Sequence, residues 1–338
     1  MLGCALRDLG LSVRVLTLKY GADQPDNFEG IAVTRCSANA SRFAAIPRHL
    51  NRWRADCNIC HIHTPSRIGI YVGLVARSLG YRVIFKIPDE HETMRHGRRR
   101  RLWCASLRAF HRILVLDERT RREYETVRVR PDRIVLASNG VAGRARRRPS
   151  PEDGRPLQLL FLGRFVDQKG CRELLAVAEL LKAGTTGWHL TMMGSGPLEA
   201  ELRTTIDTSG LSDRVTLKAW RDDVDAVLTE ADVLVAPSRH EGMPNVVVEA
   251  MSVGLPVVAT DVGAVTRLLG EEGGAFIVAP HDIERFADAV LTLMKDPAGR
   301  DAYGAALHAR TRRCFDMPII ARQYELLYRQ VLGMKHAE

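Results

Sequence analysis

Short runs of β-branched and other apolar residues alternate along this chain with segments of helical periodicity. The runs are SVRVLTL, IAVTR, CNICHIH, YRVIFKI and RILVLD, followed after a gap by LQLLFLG, WHLTMMG, RVTLKA, DVLVAPS and PVVATD. Strands that alternate with helices form βαβ units and therefore parallel sheets. Because 338 residues suffice for two domains of roughly 150 residues each, the pattern predicts two doubly wound α/β lobes.

The segment VAGRARRRPSPEDGRP, residues 141–156, is rich in Arg, Pro and Gly and lacks periodicity, as is typical of a linker. We therefore expect a first lobe over residues 1–142, a linker over 143–156 and a second lobe over 157–316. A final helix over 317–338 is expected to pack back on the first lobe. Residues 2–10 have a helical pattern where a strand normally opens such a lobe, so we expect either a late start of the sequence or a lobe trimmed of its first strand.

The chain has a basic balance, since 49 Lys and Arg residues against 40 Asp and Glu residues leave a formal charge of +9. This charge favours phosphates, nucleic acid or an anionic membrane surface as partners. The Arg clusters are not interleaved with stacking aromatic residues, which argues against nucleic acid. An odd count of seven cysteines and charges at Arg7 and Asp8 favour a cytoplasmic protein with reduced thiols. No apolar run approaches the roughly 18 residues that span a bilayer, so any membrane contact is expected to be peripheral.

Two cations follow the strand LQLLFLG. Arg164 and Lys169 lie in the loop GRFVDQKG before a helical segment, and open α/β sheets bind ligands where strands end. A guanidinium and an ammonium in one loop suit a diphosphate. The alternative is a pair of solvated surface cations.

Two acidic residues in DVLVAPSRHEGMPNVVVEAM form a second candidate group. Glu241 is expected on a loop, and Glu249, after seven intervening residues, on a helix that Pro244 can start. The first turn, Pro244 to Val246, has no acid, which leaves its N–H groups available to an anion. Carboxylates for sugar hydroxyls beside amides and cations for phosphates predict a nucleotide-sugar site. The alternative is a helix cap with a solvated acid.

The segment from Gly163 to Asp261 resembles the donor lobe of the family-4 retaining glycosyltransferases, which adopt the GT-B fold with a cleft between two Rossmann-like lobes. The resemblance implies that Arg164 and Lys169 contact the donor diphosphate, that Glu241 lies near the transferred sugar and that Glu249 binds the ribose hydroxyls. It implies a donor site formed by the following residues: Gly163, Arg164, Lys169, Gly194, Trp220, Arg221, Glu241, Gly242, Met243, Pro244, Asn245, Val246 and Glu249.

Two further segments resemble the same lobe. GSGPLEAEL lacks the third glycine of a dinucleotide fingerprint, and Glu199 and Glu201 would repel a phosphate, so a tight turn near the donor is expected. KAWRDDVDAVL resembles the segment that lines the nucleobase. Its Asp223 and Asp225 form a DxD pattern, but Asp222 and Asp223 are interpreted as helix caps, and neither a catalytic metal nor another cofactor is expected.

The N-terminal half resembles the acceptor lobe less closely, through HIHTPS, Asp117 and ASNGVAG. Where many family members have a His near the sugar, this chain has Pro88, so a polar or catalytic role passes to Asp89 or His91. Gly263, Ala264 and Arg267 also depart from the family pattern of two glycines and a glutamate.

Two other patterns have competing interpretations. Cys57, Cys60 and His61 form CxxCH, typical of haem attachment, but strand alternation would point the two thiols to opposite faces, which favours buried cysteines over haem or zinc.

The helical segment from Gly97 to Arg112 places Trp103, Leu107, Phe110 and Leu114 beside the basic cluster Arg98 to Arg101. This segment is either a helix on an anionic membrane or a core helix with a solvated face.

The residues predict an enzyme that uses a nucleotide sugar without a metal. The resemblance implies a retaining glycosyltransferase that moves the sugar to a glycan or lipid-linked acceptor, in cell-envelope polysaccharide or glycolipid synthesis. A non-catalytic nucleotide-sugar-binding partner subunit and a nucleotide-sugar epimerase of the same fold remain alternatives.

Overall fold

The structure is a computed structural model, and it describes residues 1–18, 26–37, 39, 41–63, 65–87, 98–127, 129–146 and 154–334. Side chains are described within these ranges except at residues 98–101. The chain divides into two compact units. The first consists of residues 1–140 together with 317–338, and the second of residues 141–316.

The described residues of the first unit form two sheets. The smaller has the order β1-β3-β2, with β1 parallel and β2 antiparallel to β3, and the larger is the parallel sheet β4-β5-β6-β7. The elements are α1 (Leu2–Asp8), β1 (Val15–Leu18), β2 (Asn27–Phe28), β3 (Ile31–Cys36), α2 (Arg42–Trp53), β4 (Ile59–Ile62), α3 (Arg67–Ser78), β5 (Arg82–Ile87), α4 (Arg98–Leu107), β6 (Arg112–Val115), α5 (Glu118–Thr126), β7 (Ile134–Leu136) and, near the C-terminus, α13 (Met317–Leu332).

The larger sheet is covered on both faces. On one face, Phe85 and Ile113 pack with residues of α2, α3 and α4. On the other, Ile84 and Leu114 pack against α1 and α13. Neighbouring positions on β5 thus serve opposite cores, which explains the continuous apolar sequence of this strand, since a parallel strand buried on both faces needs no polar alternation. The last helix of the chain is therefore part of the core of the first unit.

The second unit is built on one six-stranded sheet of order β10-β9-β8-β11-β12-β13, in which all pairs are parallel. Helices connect the strands, as parallel pairing requires. The elements are β8 (Leu157–Leu162), α6 (Cys171–Gly184), β9 (Trp188–Met193), α7 (Glu199–Thr208), β10 (Val215–Lys218), α8 (Val224–Glu230), β11 (Val233–Ala236), α9 (Asn245–Ser252), β12 (Val257–Thr260), α10 (Val265–Leu269), β13 (Ile277–Val278), α11 (Ile283–Lys295) and α12 (Pro297–Cys314).

Each of the ten predicted runs contains a strand, and the predicted parallel α/β architecture is confirmed. Three strands were not predicted: β2, β7 and β13, which have only two or three residues each. Such short segments show no measurable periodicity and pair only because a neighbouring strand is already in place. Among the described residues, no helix combines the length and apolar character that a membrane span needs.

Candidate functional site

The strand order of the second unit reverses at β8. Its two neighbours are β9, which follows it in the chain, and β11, which comes much later. Helices that leave β8 and β11 cross to opposite faces of the sheet, so the loops after these strands diverge and leave a crevice at the carboxyl edge. The loops concerned are residues 163–170 and 237–244. The predicted cations Arg164 and Lys169 lie on the first of these loops, and the predicted carboxylate Glu241 lies on the second.

Lys169 and Glu241 meet at this crevice. The ammonium Nζ of Lys169 lies 2.5 Å from Oε1 of Glu241, and the hydroxyl of Ser238 donates to the same oxygen at 2.9 Å. Both side chains are largely enclosed, with 20% of Lys169 and 11% of Glu241 exposed. The cation predicted to bind phosphate and the carboxylate predicted to lie near the sugar therefore form one ion pair.

Close backbone contact holds the two loops together. Gly170 has a left-handed φ of 69°, and a Cβ atom there would lie 1.9 Å from the carbonyl oxygen of Pro237. The backbone N–H of Arg239 donates to the carbonyl of Gln168 at 2.9 Å, and the Gln168 amide donates to the carbonyl of His240 at 3.0 Å. The residues that flank Lys169, Gln168 and Gly170, both contact the second loop and thereby position Lys169.

Arg164 differs from Lys169 in its surroundings. Its side chain is exposed, and within the described ranges its guanidinium makes no hydrogen bond or ion pair. Among the described residues, Lys169 is thus a paired cation and Arg164 an unpaired one at the end of β8. A free guanidinium can accept an anion without losing an existing partner, and anion binding by this loop stays a prediction.

The turn after β9 packs against the loop that contains Arg164. A Cβ atom at Gly194 would lie 1.8 Å from the carbonyl oxygen of Gly163, so only glycine allows this approach. The acids in the first turn of α7 are paired, Glu199 with Arg203 and Glu201 with Arg172. GSGPLEAEL is therefore a tight turn against the candidate site, as predicted.

The helix α9 begins after Pro244, which offers no side-chain cap, and its first turn contains no acid. Asn245 is exposed and Val246 half-buried, whereas Gly242 and Met243 are buried. The carbonyl of Gly242 accepts a hydrogen bond from the N–H of Ala264 at 2.8 Å, which ties this loop to the segment after β12. The predicted anion-binding turn is thus a fixed helix start.

Glu249 lies on α9 as predicted and is half-buried. Burial raises the pKa of its carboxyl group, the nearby Arg144 lowers it, and Asp225 raises it. Neither Arg144 nor Asp225 is a partner of Glu241. Glu241 is therefore paired with Lys169, whereas the charged groups that act on Glu249 are Arg144 and Asp225.

The segment after β10 corrects one prediction. Asp223 precedes α8, but its side chain does not cap the helix and instead accepts a hydrogen bond from Arg221 at 2.8 Å. A nearby guanidinium satisfies a carboxylate better than a neutral N–H because both partners are charged. Asp225 pairs with Arg144 at 2.6 Å. Trp220, at the edge of the same loop, is 51% exposed.

Sequence reasoning missed Ser238, Gln168 and Arg239. Ser238 is only 6% exposed and donates to Glu241, and the backbones of the other two join the loops. A serine three residues before a predicted site carboxylate is a weak local signal for this contact. The contacts of Gln168 and Arg239 have no signal in the sequence, because they form only after the two loops have been brought together.

In the first unit, Asp117 caps α5 by accepting hydrogen bonds from the N–H and hydroxyl groups of Thr120 at 2.8 and 2.7 Å. Asp89 and His91, with Pro88, lie outside the described residues. Their roles remain predictions.

The prediction that the CxxCH thiols diverge is wrong. Cys57 precedes β4, which begins at Ile59, so strand alternation does not extend to it, and Cys57 and Cys60 pack against the same core. Burial raises the pKa of Cys60 to about 12. His61 faces the other way, where its Nδ1 lies 2.7 Å from the Tyr328 hydroxyl of α13. The part of the chain that is described holds no cluster of three His, Cys, Asp or Glu residues suited to a metal ion.

The membrane-helix interpretation of residues 97–112 is wrong in its apolar part. Trp103 is 7% exposed, and Leu107 and Phe110 are fully buried in the core of the first unit. The helix ends at Leu107, and Leu114 belongs to β6. These side chains are not available to a bilayer. The side chains of Arg98 to Arg101 lie outside the description.

Both halves of the chain match known families. Residues 156–296 match the family described as glycosyl transferases group 1, and residues 1–140 match a glycosyl transferase 4-like domain. A GDP-mannose:cellobiosyl-diphosphopolyprenol alpha-mannosyltransferase of Xanthomonas campestris is 29% identical over 92% of this chain and 84% of its own length. A 2-deoxystreptamine glucosyltransferase of Streptomyces kanamyceticus is 35% identical over 50% of this chain and less than half, 44%, of its own length.

A solved structure gives the same picture of the fold. Anabaena Alr3699/HepE, crystallised in complex with UDP-glucose, superposes with a TM-score of 0.76 over 93% of this chain and 99% of its own. Only 16% of the residues are identical. At that identity the likeness shows the fold alone, which is the predicted GT-B fold.

Proposed function

The chain belongs to the group 1 glycosyltransferases, and from this membership we propose that it transfers a sugar from a nucleotide-sugar donor to a glycan or lipid-linked acceptor. The observation that supports this most directly is the pairing of Lys169 with Glu241 beside the free guanidinium of Arg164. The arrangement offers cations for a diphosphate and a carboxylate for sugar hydroxyls within one crevice.

Lys169 can serve the carboxylate and a phosphate at once. An ammonium group has three N–H donors, and Glu241 takes one of them in this structure. A donor phosphate can therefore bind to the remaining N–H donors of Lys169 without displacing Glu241. Arg164 adds a planar guanidinium suited to a second phosphate oxygen.

The chemistry proposed for these groups is charge stabilisation. As the bond between the anomeric carbon and the leaving oxygen breaks, negative charge grows on the diphosphate. Fixed cations at Arg164 and Lys169 stabilise that state more than the ground state. Glu241 orients the sugar, and transfer proceeds with retention at the anomeric carbon.

No metal is needed in this proposal. Each carboxylate of the DxD pattern already has a guanidinium partner, Arg221 for Asp223 and Arg144 for Asp225. The diphosphate charge is met by side-chain cations and by the uncapped start of α9 at Pro244.

We propose a carbohydrate acceptor of a cell-envelope polysaccharide or glycolipid. The Xanthomonas relative, which aligns with nearly the whole chain, is named for a mannosyl transfer to a diphosphopolyprenol-linked disaccharide. A lipid-linked acceptor requires the enzyme to work at a membrane surface, and the cluster Arg98 to Arg101 supplies positive charge for peripheral contact.

Charge reversal of this cluster should abolish co-sedimentation with anionic vesicles in low salt. A wild-type protein that never sediments would refute the contact.

The function is tested by thermal shift with UDP-, GDP- and ADP-sugars, followed by donor hydrolysis and transfer assays with the stabilising donor. NMR of the product reports the anomeric configuration. Stabilisation by a donor without hydrolysis or transfer would identify a binding partner subunit instead. Conversion of the donor sugar without any acceptor would identify an epimerase.

A further inference from the structure

The segment that begins the second unit reaches the helix that contains Glu249. Val141 is fixed to the end of α12, because its N–H donates to the carbonyl of Phe315 at 3.0 Å. Three residues later, Arg144 lies against α8 and α9 with only 18% of its side chain exposed. An arginine in a segment predicted to be a linker would normally be solvated, so its enclosure requires an explanation.

Arg144 joins two helices. Its Nη2 lies 2.6 Å from Oδ1 of Asp225 on α8, and its Nη1 donates to the hydroxyl of Ser252 on α9 at 3.1 Å. The Ser252 hydroxyl in turn donates to the carbonyl of Glu249 at 2.6 Å. The guanidinium is thus linked to the backbone of Glu249 through one residue, Ser252.

From these contacts we propose that Arg144 is a positioning residue for Glu249, which it holds in place through Ser252 and keeps charged. The proposal rests on the function proposed above, in which the Glu249 carboxylate accepts hydrogen bonds from the donor ribose. Only the charged carboxylate accepts from two hydroxyl groups without offering a competing donor.

The electrostatics of the site agree with this role. Burial and the like charge of Asp225 both raise the pKa of Glu249, and Arg144 is the group that opposes them. From α12, His308 approaches the same turn, with Nδ1 2.8 Å from the Ser252 carbonyl. Without Arg144, Glu249 would keep an acidic neighbour and lose its counterion, so its pKa would rise further.

The chain offers a matched control. Arg146 lies two residues further along the same segment and pairs with Asp301 at 2.5 Å, away from Glu249. Arg144→Ala should weaken the binding of UDP or GDP by about tenfold, as for loss of one charged hydrogen-bonding partner. The loss should be larger at pH 5 than at pH 8. Arg146→Ala should bind as wild type, and Arg144→Lys should recover part of the loss.

Calorimetry with UDP, GDP and inorganic pyrophosphate tests the proposal. Pyrophosphate has no ribose, so its affinity should not change in Arg144→Ala, and Arg144→Ala should add nothing in a Glu249→Gln background. Equal losses for pyrophosphate, or an undiminished loss in that background, would overturn the proposal. So would unchanged nucleotide affinity in Arg144→Ala.

A second measurement needs no nucleotide. Because the folded pKa of Glu249 is raised, wild type should lose stability relative to Glu249→Gln as pH rises through that pKa. When Arg144→Ala is added to both wild type and Glu249→Gln, the loss of relative stability should extend to higher pH. If this shift occurs but no nucleotide binds, the proposed function fails and the coupling of Arg144 to Glu249 stands. Absence of the shift contradicts the coupling itself.

Discussion

The ammonium of Lys169 lies 2.5 Å from Oε1 of Glu241, so a cation from the loop after β8 and an anion from the loop after β11 are paired where the strand order reverses. The pair gives Lys169 a structural role in addition to its proposed role in phosphate binding. Arg164, which is exposed, has no such structural role. The two cations of one loop should therefore respond differently to truncation.

Arg164→Ala should lower kcat by roughly 100-fold, by comparison with deletion of one donor to a developing anion, and change stability by less than about 0.5 kcal/mol. Lys169→Ala should lower kcat similarly but also cost about 1–3 kcal/mol, because it leaves an enclosed carboxylate without its cation. Steady-state kinetics and urea unfolding of both variants check this, with Arg203→Ala as the surface control. Wild-type turnover in Arg164→Ala would remove this loop from the donor site.

Glu249→Ala should weaken nucleotide-sugar binding while the protein stays folded. Its carboxylate is half-buried on α9 and is not part of the apolar core, so its removal leaves little cavity. Loss of hydrogen bonds to a charged acceptor is worth about 1.5–3 kcal/mol, or at least tenfold in Kd. Calorimetry with the stabilising donor and circular dichroism measure the two effects. Unchanged affinity would exclude Glu249 from the site.

Gly194→Ala should disrupt both stability and activity. A Cβ atom at this position would lie 1.8 Å from the carbonyl oxygen of Gly163, so one of the two loops must move. We expect a cost of at least about 2 kcal/mol together with loss of donor binding. Gly184→Ala at the end of α6 is the control, because a Cβ atom there meets no other atom within 4 Å. Similar melting curves for the two variants would show that the close approach has no energetic consequence.

Burial lowers the pKa of Lys86 to about 8, while Nζ donates to Asn139 at 2.7 Å and to the Tyr324 hydroxyl at 3.3 Å. Between about pH 8 and pH 10 the unfolded lysine binds a proton that the folded one lacks. The stability of wild type relative to Lys86→Met should therefore rise with pH across this window, by up to about 3 kcal/mol. Urea unfolding at several pH values measures it, with the exposed Lys182→Met as control. A difference in unfolding free energy between wild type and Lys86→Met that does not change with pH would mean that Lys86 keeps its proton.

The sequence by itself determined the strands and the helix of the candidate site. Apolar runs predicted β8 and β11, and Pro244 with the following apolar periodicity predicted the start of α9, because these signals are local and repeat within a few residues. The same reasoning located Arg164 and Lys169 in a loop at the end of a strand. Local patterns can specify such features because the responsible residues are close in the chain.

Only the tertiary structure decided which of these residues meet. Lys169 and Glu241 are 72 positions apart, and Arg144 and Ser252 are 108 apart, so no periodicity relates them. The first contact depends on the order of strands in the sheet, which places β11 beside β8. The second depends on the attachment of Val141 to the end of α12. Tertiary packing also buried Trp103, whose helix has an amphipathic pattern that suits a bilayer and a protein core equally well. A sequence pattern specifies an apolar face, but the surface that covers this face is set by residues distant in the chain.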